Sequence, residues 1–385
     1  MAPLGIGIVG TGFAAAAHVD ALRRLPEARL VAVAASSDAK AERFAARTGA
    51  ERGYGDWRAL LEDDAVEVVH DCTPNHLHAP LNAAALDAGK HLLSEKPLGV
   101  DSGETAALAS QAAAAGLVAG VCFNYRHYPL VRQLKGMLGA GGEGRAHAVR
   151  GAYLQDWLLE ETDWNWRLEP ERAGASRAVG DIGSHWLDLV EHVTGDRVVA
   201  VCAELGRLHE RRVRPAETTE TFAHATGEGD PVEIRTEDFA HVLLRFRSGC
   251  RGLLAISQVT AGRKNRLLLE VDTPRAAFAW DQEEPNTLWI GRRDGANAAL
   301  PRDPALLRDD AAPLAHYPGG HQEGWPDALR NLVAEFYAAV VAHREWRPYE
   351  PSFATFADAH RTMRLVEAVV ESDRRSGWVE VAAER

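Results

Sequence analysis

The sequence predicts an α/β protein in which a doubly wound parallel sheet precedes a second α/β domain with a large open, mainly antiparallel sheet. Strand-like apolar runs alternate with helical stretches through residues 1–125, and a glycine-rich turn joins the first strand to the first helix. After residue 128 this alternation gives way to short extended segments that are separated by turn residues. Since 385 residues exceed the ~100–200 of a typical domain, we expect two domains, at residues 1–125 and 126–385.

Composition and charge narrow the functional classes. The chain is 46% hydrophobic and 25% charged, as in ordinary globular proteins, and its net charge of −12 argues against nucleic acids and anionic membranes as partners. A strand that begins by Leu4 leaves no room for a signal peptide, and no apolar run approaches the ~18 residues of a membrane span. The four cysteines form no CxxC pair, which argues against a zinc site or a disulfide framework. We expect a cytoplasmic protein without a metal.

The turn after the first strand carries the pattern G-x-G-x-x-A. Gly10 permits a tight turn, Gly12 lets a pyrophosphate approach the backbone, and Ala15 lets the helix pack closely on the strand. Phe13, at the predicted helix start, completes the turn, and the helix N-terminus favours phosphate charge. This arrangement predicts a Rossmann domain that binds NAD or NADP.

The end of the second strand, Arg29–Ala34, bears on the choice between these cofactors. NAD enzymes usually place an acid there to hold the ribose hydroxyls, whereas this chain has Ser36 and Ser37, with Lys40 nearby. Small hydroxyl residues and a cation tolerate a 2′-phosphate, which favours NADP slightly. Asp38 could still bind a ribose, so NAD stays open.

Three further buried strands are predicted, at Val66–Cys72, His91–Ser94 and Leu117–Phe123. Ligands of parallel sheets bind outside the carboxyl ends of the strands, so the turns that follow should converge on one crevice. These turns are Thr73–His78, Glu95–Pro97 and Asn124–Arg126. We expect Asn124 to face the cofactor.

Lys96 lies directly after the fourth predicted strand, between Glu95 and Pro97. Burial disfavours a lysine charge, so a lysine at the end of a buried strand is costly unless it has a use. The simple alternative is a surface lysine at a strand–loop junction. Its position at the carboxyl edge of the sheet favours a role where the nicotinamide ring meets a hydroxyl substrate.

A helix predicted over Gly180–Val193 supplies the other candidate catalytic groups. Asp181, His185 and Asp188 are spaced i, i+4, i+7 and should share one helix face. Histidine can accept a hydroxyl proton near neutral pH, and a lysine ammonium can stabilise the oxygen charge and relay the proton. Asp181 could orient the imidazole or bind a neighbouring substrate hydroxyl. Alternatively, Asp181 and His185 are an exposed pair on a helix.

The rest of the chain predicts the open sheet and two closing helices. Residues 207–237 are polar and suggest a long excursion, and residues 291–320 are rich in proline and suggest loops. Helices are predicted at Asp327–His343 and Phe353–Ser376. The extended segments are Val198–Leu205, Asp238–Phe246, Cys250–Val259, Arg266–Val271, Ala276–Trp280 and Thr287–Ile290.

Five motifs together resemble the glucose–fructose oxidoreductase / myo-inositol dehydrogenase / MocA-type (Gfo/Idh/MocA) family. They are G-x-G-x-x-A, TPNHLH at Thr73–His78, EKP at Glu95–Pro97, NYRxxP at Asn124–Pro129 and GDIGSHWLD at Gly180–Asp188. EKP followed by D-x-x-x-H is specific in combination, and the resemblance covers most of the chain. It implies a Rossmann domain and a C-terminal α/β domain whose open sheet forms a homo-oligomer, a dimer or a tetramer.

The resemblance also implies roles for individual residues. Lys96, Asp181 and His185 match the catalytic set of sugar and inositol dehydrogenases in this family. The cofactor-side positions are Thr73, Asn75, His78 and Glu95, and Ala35-Ser36-Ser37 resembles the NADP-using members. Candidate substrate residues besides the catalytic set are Arg126, Trp157, Trp164, Arg167 and His321. The alternative for each tryptophan is core packing.

These observations favour an NAD(P)-dependent oxidoreductase that transfers a hydride to or from a sugar, anhydrosugar, inositol or related polyol. One alternative is a dinucleotide-binding sensor that kept the fold and lost the chemistry, although such a protein would have less reason to retain Lys96 with His185. Another is a reductase of an imine or of a non-carbohydrate keto substrate.

Overall fold

The computed structural model describes residues 2–216 and 229–381, which form two compact units. The first unit comprises Met1–Asn124 with Pro326–Arg361, and the second comprises Tyr125–Trp325 with Thr362–Arg385. The predicted division at residue 125 placed all of 126–385 in the second domain, whereas Pro326–Arg361 pack with the first unit. As a statement about functional domains, the predicted division stays a prediction.

The part of the chain up to residue 124 alternates between strands and helices, as predicted. In order, it contains β1 (Leu4–Val9), α1 (Phe13–Arg23), β2 (Ala28–Ala34), α2 (Asp38–Thr48), β3 (Arg52–Tyr54), α3 (Trp57–Leu61), β4 (Val68–Asp71), α4 (His78–Asp87), β5 (His91–Ser94), α5 (Ser102–Ala115) and β6 (Ala119–Val121).

Beyond residue 124 the described chain is dominated by strands. It contains α6 (Pro129–Gly139), β7 (Ala148–Leu154), α7 (Pro170–Ala173), α8 (Ser184–Thr194), β8 (Val198–Gly206), β9 (Arg211–Pro215), β10 (Gly229–Glu233), β11 (Phe239–Phe246), β12 (Arg251–Ser257), β13 (Arg266–Asp272), β14 (Ala277–Asp281), β15 (Thr287–Gly291), β16 (Ala298–Pro301), α9 (Trp325–Arg344), β17 (Ala354–Thr355), α10 (Phe356–Arg375) and β18 (Val379–Glu380).

The first unit is built on a seven-stranded sheet in the order β17-β6-β5-β4-β1-β2-β3. All neighbours are parallel except β17, which runs antiparallel to β6, so the predicted doubly wound sheet is confirmed. Every residue of β1 is buried, as expected of a strand covered on both faces. Phe336 and Phe353 pack beside Gly120 of β6, which explains why Pro326–Arg361 belong to this unit.

The second unit contains a nine-stranded sheet in the order β16-β15-β14-β13-β7-β12-β11-β8-β18. Its neighbours are antiparallel except β7 and β12, which confirms the open, mainly antiparallel sheet. Within 207–237, β9 and β10 form a separate antiparallel pair, and residues 217–228 of that predicted excursion lie outside the described residues. Residues 291–320, expected to be loops, contribute β16.

The helix predicted over Gly180–Val193 is not regular at its start. Val179–Gly183 form a π-helical turn, closed by the Ser184 N–H donating to the Val179 carbonyl, and α8 follows. A Cβ on Gly183 would lie 2.6 Å from Cδ1 of Ile256 in β12, so a larger residue there would require the Ile256 side chain to shift. π-Turns are rare and are often found at functional sites.

Two further findings concern the described chain as a whole. Within residues 2–216 and 229–381, none of the helices combines the length and apolar character of a bilayer-spanning segment. The four cysteines are free thiols, and three of them, Cys72, Cys122 and Cys250, are buried.

Candidate functional site

The glycine-rich turn between β1 and α1 has the geometry of a phosphate cradle. Gly10 has φ +113°, and a Cβ there would lie 2.5 Å from the Cys72 carbonyl oxygen, so only glycine fits. A Cβ on Gly12 would meet no described atom within 4 Å, which leaves its backbone open to a ligand. Ala15 is fully buried, and Phe13, 55% exposed, begins α1. The turn therefore fits a dinucleotide pyrophosphate at the α1 N-terminus.

The end of β2 places small polar groups beside a cation. Lys40 donates from Nζ to Oγ of Ser36 at 3.1 Å, and Ser36 and Ser37 are exposed. The neighbouring acid, Asp38, accepts the Gly55 N–H at 2.9 Å with Oδ1. One oxygen of the nearest carboxylate is thus engaged by the loop after β3.

Hydrogen bonds hold both ends of the loop after β4, at Thr73 and at His78. Oδ1 of Asp71 accepts the Thr73 hydroxyl at 2.6 Å and the Thr73 N–H at 3.0 Å. The ring nitrogens of His78 lie 2.6 Å from the Pro97 carbonyl oxygen and 2.8 Å from that of Thr73. Because His78 is only 1% exposed, its visible role is to tie this loop to the loop after β5. Asn75, in the same loop, is also buried.

Lys96 follows β5 and lies beside an anchored carboxylate. Oε2 of Glu95 accepts the Lys96 N–H at 3.2 Å, and Oε1 lies 3.1 Å from Nε2 of His18. Burial alone would raise the pKa of Glu95, but the hydrogen bond with His18 and the charge of Lys96 outweigh it and lower that pKa below its ordinary value. The structure thus sets an ionised carboxylate next to Lys96.

At the carboxyl end of β6, Asn124 is 3% exposed, and its Nδ2 has no hydrogen-bond partner within residues 2–216 and 229–381. A buried amide donor at this edge is suited to a bound acceptor, and the cofactor-facing role of Asn124 stays a prediction.

One group of side chains in the described part of the chain has metal-like spacing. Ligand atoms of His18, Glu95 and Cys122 lie within 4.8 Å of one another. Burial raises the pKa of the Cys122 thiol well above its ordinary value, so this sulfur stays protonated, a poor state for ligation. Hydrogen bonding accounts for the cluster, and the absence of a metal stays a prediction.

In the second unit, Asp181 is held through both carboxylate oxygens. Arg167 donates from Nε to Oδ1 at 3.2 Å, and Gln258 donates from Nε2 to Oδ2 at 2.9 Å. Oε1 of Gln258 accepts from Nη1 of Arg177 at 3.0 Å, and Arg177 forms a fully buried ion pair with Asp238. The position of the carboxylate is therefore set by a network that extends into the core.

His185 is 7% exposed and is framed by two tyrosines. Its ring meets Tyr125 edge to face at 4.8 Å between centroids, and Tyr153 lies 6.1 Å away. The two phenol oxygens are 2.6 Å apart, and Asn265 bonds to both. Burial raises the pKa of Tyr125 to about 12, so the imidazole is framed by neutral aromatic rings.

Arg126 and Asp188 form a buried ion pair. Arg126 donates from Nε to Oδ2 of Asp188 at 2.7 Å and from Nη2 to Oδ1. Of the three residues predicted to share a helix face, Asp188 binds Arg126 while Asp181 binds Arg167 and Gln258. The bidentate pair gives Arg126 a visible role within the protein.

The tryptophans of the predicted substrate segment are half-buried. Trp157 and Trp164 pack against a small apolar cluster of Leu158, Leu168 and Ile234. Trp157 also donates from Nε1 to the Gln155 side-chain oxygen at 2.7 Å. Core packing thus describes much of both rings, as the alternative interpretation expected.

His321 is exposed, and its Nδ1 lies 3.2 Å from the Pro318 carbonyl oxygen. The residues that follow it, 322–324, line a cleft of about 460 Å³ together with Asn265 and Gln282. His321 itself is not among the lining residues.

The sequence did not indicate the residues that contact the predicted site residues Asp181, His185 and Glu95. Gln258, Tyr153 and Asn265 are single polar residues on or next to strands of the open sheet, and no spacing rule marks them. Tyr125 lies inside the NYRxxP motif, which was the one available signal. His18 lies in an apolar helix, and no motif marks it among the 16 histidines of the chain.

Comparisons with protein families cover most of the chain. Residues 4–123 match a family model described as an oxidoreductase family with an NAD-binding Rossmann fold. Residues 131–278 match the model of the GFO/IDH/MocA C-terminal domain.

Several characterised proteins are similar over the same regions. Levoglucosan dehydrogenase of Pseudarthrobacter phenanthrenivorans is 30% identical over 99% of both chains. A solved structure of levoglucosan dehydrogenase in complex with NADH and L-sorbose superposes with a TM-score of 0.89 at 27% identity, over 100% of both chains. D-xylose 1-dehydrogenase (NADP(+)) 2 of Haloferax volcanii is 32% identical over 51% of this chain and 60% of its own.

Proposed function

Since this chain belongs to the GFO/IDH/MocA family of NAD-binding oxidoreductases, we propose that it is a dehydrogenase of a sugar, anhydrosugar, inositol or related polyol. It would transfer a hydride between the nicotinamide cofactor and a hydroxyl or keto carbon. The observation that carries this proposal is the two-point anchoring of Asp181 close in sequence to the tyrosine-framed His185. The likeness to levoglucosan dehydrogenase along nearly all of both chains supports a carbohydrate substrate.

Lys96 is proposed to act on the reacting oxygen. It follows β5 at the carboxyl edge of the parallel sheet, where ligands of such sheets bind. Its ammonium would stabilise the negative charge that grows on the oxygen as the hydroxyl proton leaves. The Glu95 carboxylate supplies the matching anion next to it.

His185 is proposed as the base, with Asp181 as its companion. In the oxidative direction the substrate C–H bond breaks, and the hydroxyl proton passes to His185, directly or through Lys96. Bound NAD(P) supplies the hydride acceptor. Asp181, fixed by Arg167 and Gln258, would accept a hydrogen bond from a substrate hydroxyl or from the imidazole.

The chain is further proposed to prefer NADP over NAD. Ser36 and Lys40 lie together at the end of β2, and one oxygen of Asp38 is already engaged by Gly55. A 2′-phosphate would find a cation and a hydroxyl there. The structure of levoglucosan dehydrogenase with NADH favours NAD, whereas the relative from Haloferax volcanii carries NADP(+) in its name.

The open sheet of the second unit is proposed as the homo-oligomer interface. Leu243, Leu253 and Trp289 are between 41% and 48% exposed on β11, β12 and β15. Leu243 and Leu253 lie directly opposite each other, and neighbouring exposed apolar residues on a sheet are typical of protein–protein contacts.

The experiment is a substrate screen with variants, read as NAD(P)H absorbance at 340 nm. Aldoses, anhydrosugars and inositols would be offered with NAD and with NADP. Lys96→Ala and His185→Ala should each lower kcat by about 10²-fold or more while cofactor binding survives. The exposed His147 provides a control, since His147→Ala should keep full activity.

Two outcomes would contradict the proposal. Near-normal turnover of Lys96→Ala or His185→Ala would remove their catalytic assignment. Tight cofactor binding without turnover of any substrate by the wild-type chain would instead favour the sensor.

A further inference from the structure

A chain of buried side chains runs behind Lys96 in the first unit. The Tyr337 hydroxyl, on α9, lies 2.9 Å from Nε2 of His70 on β4. Nδ1 of His70 lies 2.7 Å from Nδ1 of His18 on α1, whose Nε2 lies 3.1 Å from Oε1 of Glu95. Tyr337, His70 and His18 are fully buried. We call these four residues the Tyr337–Glu95 chain.

The donors in this chain can be assigned from its far end. Among residues 2–216 and 229–381 the Tyr337 hydroxyl has no other hydrogen-bond partner, so it must donate to Nε2 of His70 to be satisfied. A neutral imidazole then carries its proton on Nδ1, which donates to Nδ1 of His18. His18 in turn donates from Nε2 to Glu95. Every proton therefore points toward the carboxylate.

The reverse direction is less favourable. If His70 donated from Nε2 to the tyrosine oxygen, the phenolic proton would be buried without an acceptor, which is costly. Burial lowers the pKa of His70 well below its ordinary value and raises that of Tyr337 well above it, so both are neutral at physiological pH.

The Tyr337–Glu95 chain ends at the Glu95 carboxylate. Among the described residues, Lys96 is the lysine whose charge lowers the pKa of that carboxylate. The titratable groups that face the chain are Asp71, Cys72, Cys122, Lys96 and, near Tyr337, Glu27. Burial raises the pKa of both thiols well above their ordinary value, so they are uncharged.

We propose that Tyr337 and His70 are positioning residues, which fix the His18 tautomer and thereby hold the Glu95 carboxylate in place beside Lys96. One end of the chain is the Tyr337 hydroxyl in the core, and the other end is the Glu95 carboxylate next to Lys96. This logic resembles that of a metal-bound histidine whose outer partner sets its tautomer. The expected effect on turnover rests on the proposed role of Lys96, whereas the expected tautomers do not depend on that role.

The first test reads the tautomers directly, in the full-length protein labelled with ¹⁵N-histidine. Two-bond ¹⁵N–¹H correlation spectra would be assigned with His18→Gln and His70→Gln. The expected result is a proton on Nδ1 of His70 and on Nε2 of His18. A His70 protonated on Nε2, or a His18 protonated on Nδ1, whether or not Nε2 is also protonated, would overturn the proposal without any further variant.

The second test removes the hydroxyl. Tyr337→Phe should mix the His70 and His18 tautomers and lower kcat about tenfold or more, with the KM for the cofactor changed less than about twofold. Val340→Ala, a buried substitution on the same helix, is the control for lost packing and should leave both tautomers and kcat unchanged.

The outcomes separate this proposal from the function on which it rests. Altered tautomers with an unchanged kcat would refute the positioning role. Unchanged tautomers in Tyr337→Phe would refute the chain itself. If Lys96→Ala were as active as the wild type, the proposed function would fail, while the tautomer spectra would still decide whether the chain exists.

Discussion

The side-chain amide of Gln258 joins Arg177 to Asp181. It donates from Nε2 to Oδ2 of Asp181 at 2.9 Å and accepts at Oε1 from Arg177 at 3.0 Å. Because a guanidinium can only donate, Arg177 fixes the orientation of the amide, which must then present its NH₂ group to Asp181. A donor in that position favours the carboxylate form of Asp181 over the acid.

Replacing Gln258 should therefore impair catalysis. Gln258→Leu removes one of the two anchors of Asp181, and we expect kcat to fall about tenfold or more while the KM for the cofactor is unchanged. The matched control is Thr236→Val. It removes another hydrogen-bond acceptor of Arg177, the Thr236 hydroxyl, and does not alter a partner of Asp181. Steady-state kinetics of both variants check this, and an equal loss in both would mean that only the packing around Arg177 matters.

The two glycines of the cofactor turn should respond differently to substitution. A Cβ on Gly12 meets open space, so Gly12→Ala should keep the wild-type unfolding free energy and weaken NAD(P) binding about tenfold. Gly10→Ala should instead destabilise the fold, because its φ is +113° and its Cβ would strike the Cys72 carbonyl. Denaturant unfolding and cofactor titration measure the two effects. Normal cofactor affinity in Gly12→Ala would argue against a pyrophosphate there.

The cofactor preference depends on Ser36 and Lys40. Lys40→Ala should raise the KM for NADP about tenfold, since a charge-assisted contact contributes ~1.5–3 kcal/mol, and leave the KM for NAD nearly unchanged. Ser36→Asp should add repulsion of the phosphate and shift the preference to NAD. Arg47→Ala, at the other end of α2, is the control. Equal effects on NAD and NADP would refute a phosphate site.

The sequence predicted those parts that depend on local rules. Alternation of apolar strands with helices predicted the parallel sheet, and the motifs singled out Lys96, Asp181 and His185, whose roles stay predictions. The sequence did not reveal the pairings that depend on distant packing. Gln258 meets Asp181 only because β12 lies beside the π-turn, and Tyr337 reaches His70 only because α9 returns to the first sheet.

The same limit explains two differences between the expected and the observed elements. A regular helix was expected through Gly180–Val193, but the close approach of Gly183 to Ile256 accompanies a wider turn. Pro326–Arg361 carry no signal that sends them back to the first unit, since an amphipathic helix can pack on either sheet. Alternation alone therefore gave no indication of this return.

The open sheet should determine the oligomeric state. Leu243 and Leu253 lie directly opposite each other on β11 and β12, so a charge at both sites would oppose any apolar contact across that face. The double variant Leu243→Glu, Leu253→Glu should have a lower solution mass by light scattering than the wild type. Leu208→Glu alters a comparably exposed leucine outside the sheet and should not change the mass. A monomeric wild type would contradict the proposed interface.

His91 links the stability of the first unit to pH. Its Nδ1 accepts the Val118 N–H at 3.0 Å, and its ring meets His343 edge to face at 4.8 Å. Burial, with the charges of His343 and Arg344, lowers its pKa from 6.5 to about 4. Because the unfolded chain takes up a proton near pH 6.5 and the folded chain does not, this stabilisation is present above that pH and is lost as the pH falls toward 4.

His91→Asn should therefore lose less stability in acid than the wild type. The amide oxygen of the introduced asparagine can accept the Val118 N–H, and the amide does not titrate. Between pH 7 and pH 5 the wild type should lose about 2 kcal/mol more unfolding free energy than the variant. Denaturant unfolding at the two pH values measures this difference, and His70 and His192, whose pKa values are also lowered by burial, contribute equally to both proteins. Equal losses would show that His91 is protonated in the folded chain as readily as in the unfolded one.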